Sequence, residues 1–330
     1  MLAAGPLAPA PPAPPCSAAW LSNLLLGVLT VVATVLVPVP AASQAVKGSY
    51  LYTLSNFTGA IRHAWARVAV DRDRAEVYAL YQNTVHVFNR SGMEVYHFGD
   101  DLDLGQIVDV AIDDRGDILL LAHRDARWTV VRCDYRGRPQ ATVTFTGLPP
   151  EWSEFSPNRM AFQRGTFYLA ATSGLAIVTA DRDGRVTNRY DLVQMLELAE
   201  KDRGAAELGG FSVDREGNIL MTVPVLFRAF VLAPDGTLGM FGRPGGAPGR
   251  FNIASGIARD SKGNFLVVDK LKGAVQVFDR SFRFVTQLAG WGQKPGQLMF
   301  PEDVAVDDNQ RVYVTQTNRR GISVFALTYQ

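Results

Sequence analysis

The side chains able to do chemistry in this 330-residue chain are scattered carboxylates, four histidines and a few arginines, many placed beside short apolar runs. Asp109, Asp269, Glu302 and Asp303, with Asn158, Ser255 and His123, stand just before or just after such runs, and Arg159 follows Asn158. Acidic groups, an amide and an imidazole gathered in one place would ligate calcium through oxygen, or zinc if imidazoles led. His86 and His97 fall inside expected strands, which leaves His63 and His123 for such a centre, and no pair has His-x-x-x-His spacing. No Ser or Cys lies in a nucleophile elbow, and there is no Gly-rich phosphate loop. The residues therefore predict no catalytic centre and no required cofactor, with a carboxylate–amide calcium site left open as the alternative.

What positions these groups is a repeat. The phrase Val-Ala-Val-Asp ends at Asp71 and recurs in variants ending at Asp113, Asp214, Asp260 and Asp307, with a degraded copy ending at Gln163. The successive spacings are 42, 50, 51, 46 and 47 residues. Each phrase runs through a polar turn into an apolar strand, as in Asn264-Phe-Leu-Val-Val268. A period of 40–50 residues with this content is that of propeller blades. In the turns, Gly116, Gly217 and Gly263 supply positive φ while the preceding Asp caps through its side chain. A second hairpin follows about 20 residues later, near Gly92, Gly137, Gly184 and Gly236. Two hairpins make a four-stranded antiparallel sheet, which cannot bury both faces by itself and must stack in a ring.

The fold class is thus all-β: a six-bladed propeller of four-stranded antiparallel blades. The last unit, from Glu302 onward, supplies only three strands. Residues 49–54 are expected to provide the fourth and so clasp the ring, hiding edges that an open propeller would expose. A single helical insertion is expected near 191–203, capped by Asp191.

The linkers into the last two units read Gly242-Arg-Pro-Gly-Gly-Ala-Pro-Gly-Arg-Phe251 and Gly290-Trp-Gly-Gln-Lys-Pro-Gly-Gln-Leu298. Followed by the Val-Ala-Val-Asp phrase and Val275-Gln-Val-Phe-Asp279, they resemble the NHL-repeat signature, closely in the last two units and only in outline in the third and fourth. That resemblance implies a propeller. It leaves function open, because NHL propellers serve as protein-binding platforms, as RNA binders and as a few lyases or hydrolases.

In such a ring, the loops joining the blades gather on one face. The candidate binding residues there are Arg62, Trp65, Trp152, Phe155, Arg250 and Trp291, since aromatic and arginine side chains in loops make interface anchors. The repeat itself puts apolar residues at Trp291 and Phe300, which reads them as plugs between blades; Trp65 and Trp152 lie outside any repeat position. The channel-mouth candidates are Asp109, Arg159, Asp269 and Glu302.

A net charge of +1 gives no global drive toward nucleic acid, and acidic loops at 100–103 and 151–154 interrupt any basic field, so no nucleic-acid partner is expected. Cys16 and Cys133 form no expected disulfide. The first 46 residues carry no charge, and the run Leu24–Val37 followed by small residues suits a signal core with cleavage near Ala45. With residues 18–23 included it could instead be an anchor. The expected organisation is 1–45 as signal peptide or membrane anchor and 46–330 as a monomeric propeller. It would lie in the periplasm or outside the cell, as a scaffold for another protein or a polysaccharide. The alternative is a metal-dependent lyase or hydrolase at the channel mouth.

Overall fold

Each repeat phrase ends in an aspartate because the turn that follows needs one. Asp113 Oδ1 accepts from the amides of Arg115 (2.8 Å) and Asp117 (3.0 Å), and Gly116 completes the turn at φ 81°. Asp260 does the same for Lys262 and Asn264. These aspartates are buried, so they are turn-formers and not available ligands. The degraded third copy lacks the Asp and turns differently, through Arg164 and Gly165 at φ 52° and 77°, a two-residue hairpin with both residues left-handed.

The computed structural model describes residues 46–64, 67–125, 127–317 and 319–330. It contains six four-stranded antiparallel sheets. Their innermost strands are Arg67–Asp71, Gln106–Ile112, Arg159–Gln163, Gly210–Val213, Ala254–Arg259 and Pro301–Val306, and each touches the next around a closed ring. We number the blades 1 to 6 in that order. Apolar clusters fill the spaces between neighbouring blades; one joins Leu220, Phe251 and Phe278 across blades 4 and 5. Cys133 is buried in the cluster between blades 1 and 2, and burial pushes its thiol up to about 12.

Blade 6 is closed by the amino-terminal strand, as the strand count requires. Val46–Thr53 pairs antiparallel with Ile322–Tyr329, from Val46 opposite Tyr329 to Thr53 opposite Ser323. The strand begins three residues earlier than expected, and buried Leu54 extends it by donating its amide to the Ile322 carbonyl at 3.0 Å. After it comes a two-residue-per-strand hairpin, Ser55–Asn56 with Gly59–Ala60, and a linker into blade 1.

The insertion between blades 3 and 4 is present, but as two single turns, Leu192–Met195 and Glu200–Arg203, not one helix. Asp191 caps the first by accepting from the amides of Val193 and Gln194. Leu192 and Leu198 are both buried against the blade 3–blade 4 core. Six residues apart, they would lie roughly 240° apart around a continuous helix. Glu197, at φ 49°, breaks the helix so that both can face inward.

Among the described residues no helix is long and apolar enough to cross a membrane. The expected signal or anchor segment, residues 1–45, lies outside the described residues, as does Trp65.

Deleting Val46–Thr53 should leave the Ile322–Tyr329 edge open. We expect the deletion to lower the melting temperature by about 10 °C or more, at 2–4 °C per kcal/mol for a domain of this size, and to promote aggregation. Calorimetry with light scattering on the deleted and full chains checks this.

Candidate functional site

The residue just ahead of each repeat phrase lies on the innermost strand of its blade: Arg67, Asp109, Arg159, Gly210, Gly256 and Asp303. Four blades thus bring a charged side chain to this column, and two bring glycine. At Gly210 a Cβ would stand 2.4 Å from the Ser255 carbonyl, and at Gly256 one would stand 2.7 Å from Asp303 Cα, so neighbouring strands approach too closely for a side chain.

Arg67 is the hub of this level. Its Nε donates to Asp109 of blade 2 at 2.9 Å and its Nη1 to Asp303 of blade 6 at 2.8 Å. Burial alone would draw the guanidinium down, but the two carboxylates more than offset it and hold it above its ordinary value. Asp109, 1% exposed, also accepts from the amides of Val110 (2.9 Å) and Met160 (2.7 Å), the latter on blade 3. Ser255 Oγ donates to the Glu302 carbonyl at 2.6 Å, and Thr222 Oγ1 to the Ser255 carbonyl at 2.8 Å, joining blades 4, 5 and 6. A polar girdle therefore ties blade to blade. Between blades 3 and 4 the link is a backbone one, from the Leu208 amide to the Thr172 carbonyl at 3.1 Å.

The expected channel-mouth residues are all near this level, but their lone pairs are engaged. Asp269 is fully buried and accepts from the amides of Asn252 (2.8 Å) and Lys272 (3.1 Å). Glu302 pairs with Lys270 at 2.7 Å, and His123 Nε2 meets the Pro157 carbonyl at 2.6 Å. Arg159 differs: it donates to its neighbour's carbonyl, Asn158 O, at 2.8 Å and has no carboxylate partner among the described residues. Burial, then the like charge of Arg67, draws its guanidinium below the usual value. Below the girdle the channel is a cavity of about 160 Å³ lined by the six innermost strands. At its far end Arg72 and Arg215 both approach Asp308. Arg67 was not singled out from the sequence, although it occupies the same repeat column as Asp109, Arg159 and Asp303.

The loop-face residues divide. Phe155 is 8% exposed within the blade 2–blade 3 core, where its carbonyl takes the Trp128 indole N–H at 3.0 Å, so it is a packing residue and not a surface anchor. Trp152 is half-buried against that same cluster, tilted on Phe155 at 5.9 Å. Arg250 is exposed, while its carbonyl accepts from Lys272 and Gln276. Trp291 corrects the plug reading: it is 45% exposed and stands edge-on to exposed Phe300 at 4.6 Å. The plug is Leu298, fully buried and bridged to Trp291, just as fully buried Phe251 is bridged to Pro244 one repeat earlier.

Arg62 opens onto something the sequence did not show. Between the clasp strand and loop 293–297 lies a groove of about 560 Å³ whose lining includes Arg62, Lys294, Arg319 and Arg320, with no carboxylate among the described residues. Among the described residues none of these four cations forms an ion pair. Tyr50, Tyr52 and three glutamines complete its walls. The cations come from three separate places in the sequence, Arg62, Lys294 and the pair Arg319-Arg320, so no basic run announces them.

The architecture is a six-bladed β-propeller. No family model matches the chain. The Drosophila melanogaster protein brain tumor is 35% identical over 69 residues, 21% of this chain, and the match spans only 7% of that protein's length. A Bacteroides thetaiotaomicron protein of unknown function superposes with a TM-score of 0.63 at 17% identity, over 87% of this chain and 77% of its own. An auxiliary nutrient binding protein of Bacteroides ovatus gives 0.58 at 13%, over 87% and 78%. A gluconolactonase of Xanthomonas campestris gives 0.56 at 14%, over 86% and 90%. At these identities the likeness is one of fold.

The girdle carries a stability prediction. Arg67→Met leaves two buried carboxylates without their cation, which should cost about 3–5 kcal/mol and lower the melting temperature by about 10 °C. Arg159→Met removes a cation with no carboxylate partner and should shift it by no more than a few degrees. Parallel thermal melts of the two variants check the contrast.

Proposed function

We propose that this chain is a non-catalytic binding scaffold, and that the groove beside the ring closure takes an acidic polysaccharide. The observation that carries this reading is the groove itself: four cations from the clasp linker, loop 293–297 and the last blade, gathered without an acid in a chain of net charge +1. A ligand carrying regularly spaced carboxylate or sulfate groups would complement them. The exposed Trp291–Phe300 pair stands next to loop 293–297 and offers apolar rings for sugar faces. The engaged carboxylates at the channel mouth support the non-catalytic half of the reading, since a metal there would have to displace amide and guanidinium donors.

The wider reading follows from the sequence. The repeat chemistry makes the ring an NHL-type propeller. Residues 1–45 direct export and are cleaved near Ala45 or kept as an anchor, and residues 46–330 act as a monomer in the periplasm or outside the cell. The propeller's part is rigid presentation: blades locked to one another hold the groove's two walls at a fixed spacing.

Retention on immobilised alginate or heparin, with neutral dextran as control, tests the assignment. The full chain should bind in a salt-sensitive way, and Arg62→Glu with Arg319→Glu should weaken binding about tenfold or more, some 1.4 kcal/mol. Arg115→Glu with Arg136→Glu, exposed turn cations on the hairpin face, should not. Equal losses from both pairs would reduce the effect to net charge. Absence of retention above dextran would overturn the polysaccharide and leave an acidic protein surface as the ligand to seek.

A further inference from the structure

Three of the chain's four histidines meet at one place, on the outer part of blade 1. His86 lies on the strand Thr84–Phe88 and His97 on Glu94–Phe98, directly opposite one another in the register. Simple alternation would send Glu94 and His97, three apart, to opposite faces. A β-bulge prevents this: Val87 pairs with Tyr96 but Phe88 with Glu94, leaving Val95 unpaired. The extra residue brings Glu94 round to the histidine face. There Glu94 Oε1 lies 2.7 Å from His86 Nδ1 and 3.2 Å from His97 Nδ1. One ligating atom from each of the three residues falls within 4.8 Å of the others. His63, from the linker after the clasp strand, stacks on Tyr81 with ring centres 4.1 Å apart, and its own ring centre is 5.6 Å from that of His86.

We propose that His86, Glu94 and His97 form a zinc-type transition-metal site, and that His63 completes it as the fourth ligand. Geometry favours this. With Zn–N bonds of about 2.0–2.1 Å, two imidazoles on one tetrahedral ion have ring centres roughly 5 Å apart. The His86–His97 and His86–His63 separations are 5.4 and 5.6 Å. The ligand set selects the metal: imidazoles with one carboxylate suit zinc and its neighbours, whereas calcium and magnesium take oxygen. Burial favours it too. The Glu94 and His86 side chains are only 10% and 12% exposed, so a carboxylate largely removed from water faces two nitrogens that a cation could bind at once.

The site has a structural meaning. His63 belongs to the linker leaving the clasp strand, and the other three belong to blade 1. A four-ligand closed site would staple the ring's closure to its first blade, beside the hydrogen bond from the Ser55 amide to the Gly92 carbonyl (3.0 Å).

The test uses the full chain purified without a histidine tag, titrated with zinc chloride alone after chelator dialysis. We expect one equivalent of zinc bound, a raised melting temperature, and a visible absorption band of tetrahedral type when cobalt(II) replaces zinc. Calcium and magnesium should produce none of these. Loss of an outer-shell partner costs a metal site about 10–100-fold in affinity, so His97→Ala and Glu94→Gln should each weaken binding by about a hundredfold or more. His97 is 58% exposed, and its removal leaves the blade's packing intact. Absence of stoichiometric binding, or binding in both variants as tight as in the unsubstituted chain, would overturn the site. Binding lost in those two but unaffected by His63→Ala would overturn the staple.

Discussion

A guanidinium sealed between two carboxylates from flanking blades is the interaction on which the rest of this structure depends. Arg67 cannot be buried alone, since an unpaired charge in the interior costs several kcal/mol, and neither can Asp109 or Asp303. Each becomes tolerable only when blades 6, 1 and 2 stand in their native places. The triad therefore specifies how the blades are arranged more than it adds net stability, and the amide of Met160 extends that specification to blade 3. Hydroxyl bonds through Thr222 and Ser255 do the same for blades 4 to 6 without charge.

The function proposed here follows from where that interaction sits. A channel mouth whose carboxylates already serve the girdle is poorly placed to bind anything else. The proposed recognition surface therefore lies outward, on loops that the girdle does not use. The clasp concentrates this effect. Closing the ring with a strand from the far end of the sequence brings Arg62 against Lys294, Arg319 and Arg320, residues with no reason to meet in an open array. Ring closure and the cationic groove are one structural event.

The architecture was legible in the sequence because each blade solves the same local problem with the same residues: an aspartate and a glycine to turn, and an apolar strand to bury. The missing strand of blade 6 could be found by counting. What escaped was whatever depends on relations between blades or on departures from regular pairing. Arg67 shares a repeat column with Asp109 and Asp303, yet their pairing is visible only once the ring closes. Trp291 fills a slot that the repeat makes apolar, but Leu298 performs the burial and frees the indole. Phe155 looked like a loop anchor and is core, because its loop folds back onto Trp128. His86 and His97 fall inside expected strands, and only the bulge at Val95 brings Glu94, three residues before His97, to their face. Trp65 and residues 1–45 lie outside the described residues.

The proposed ligand site is the clasp groove and not the channel. Hydrogen–deuterium exchange of the full chain, with and without a saturating acidic polysaccharide, locates it directly. Added protection is expected in residues 293–297 and 319–323, with the inner strands of blades 2 and 6 unchanged. Protection confined to residues 106–112 and 301–306, leaving the groove segments as they were, would contradict it.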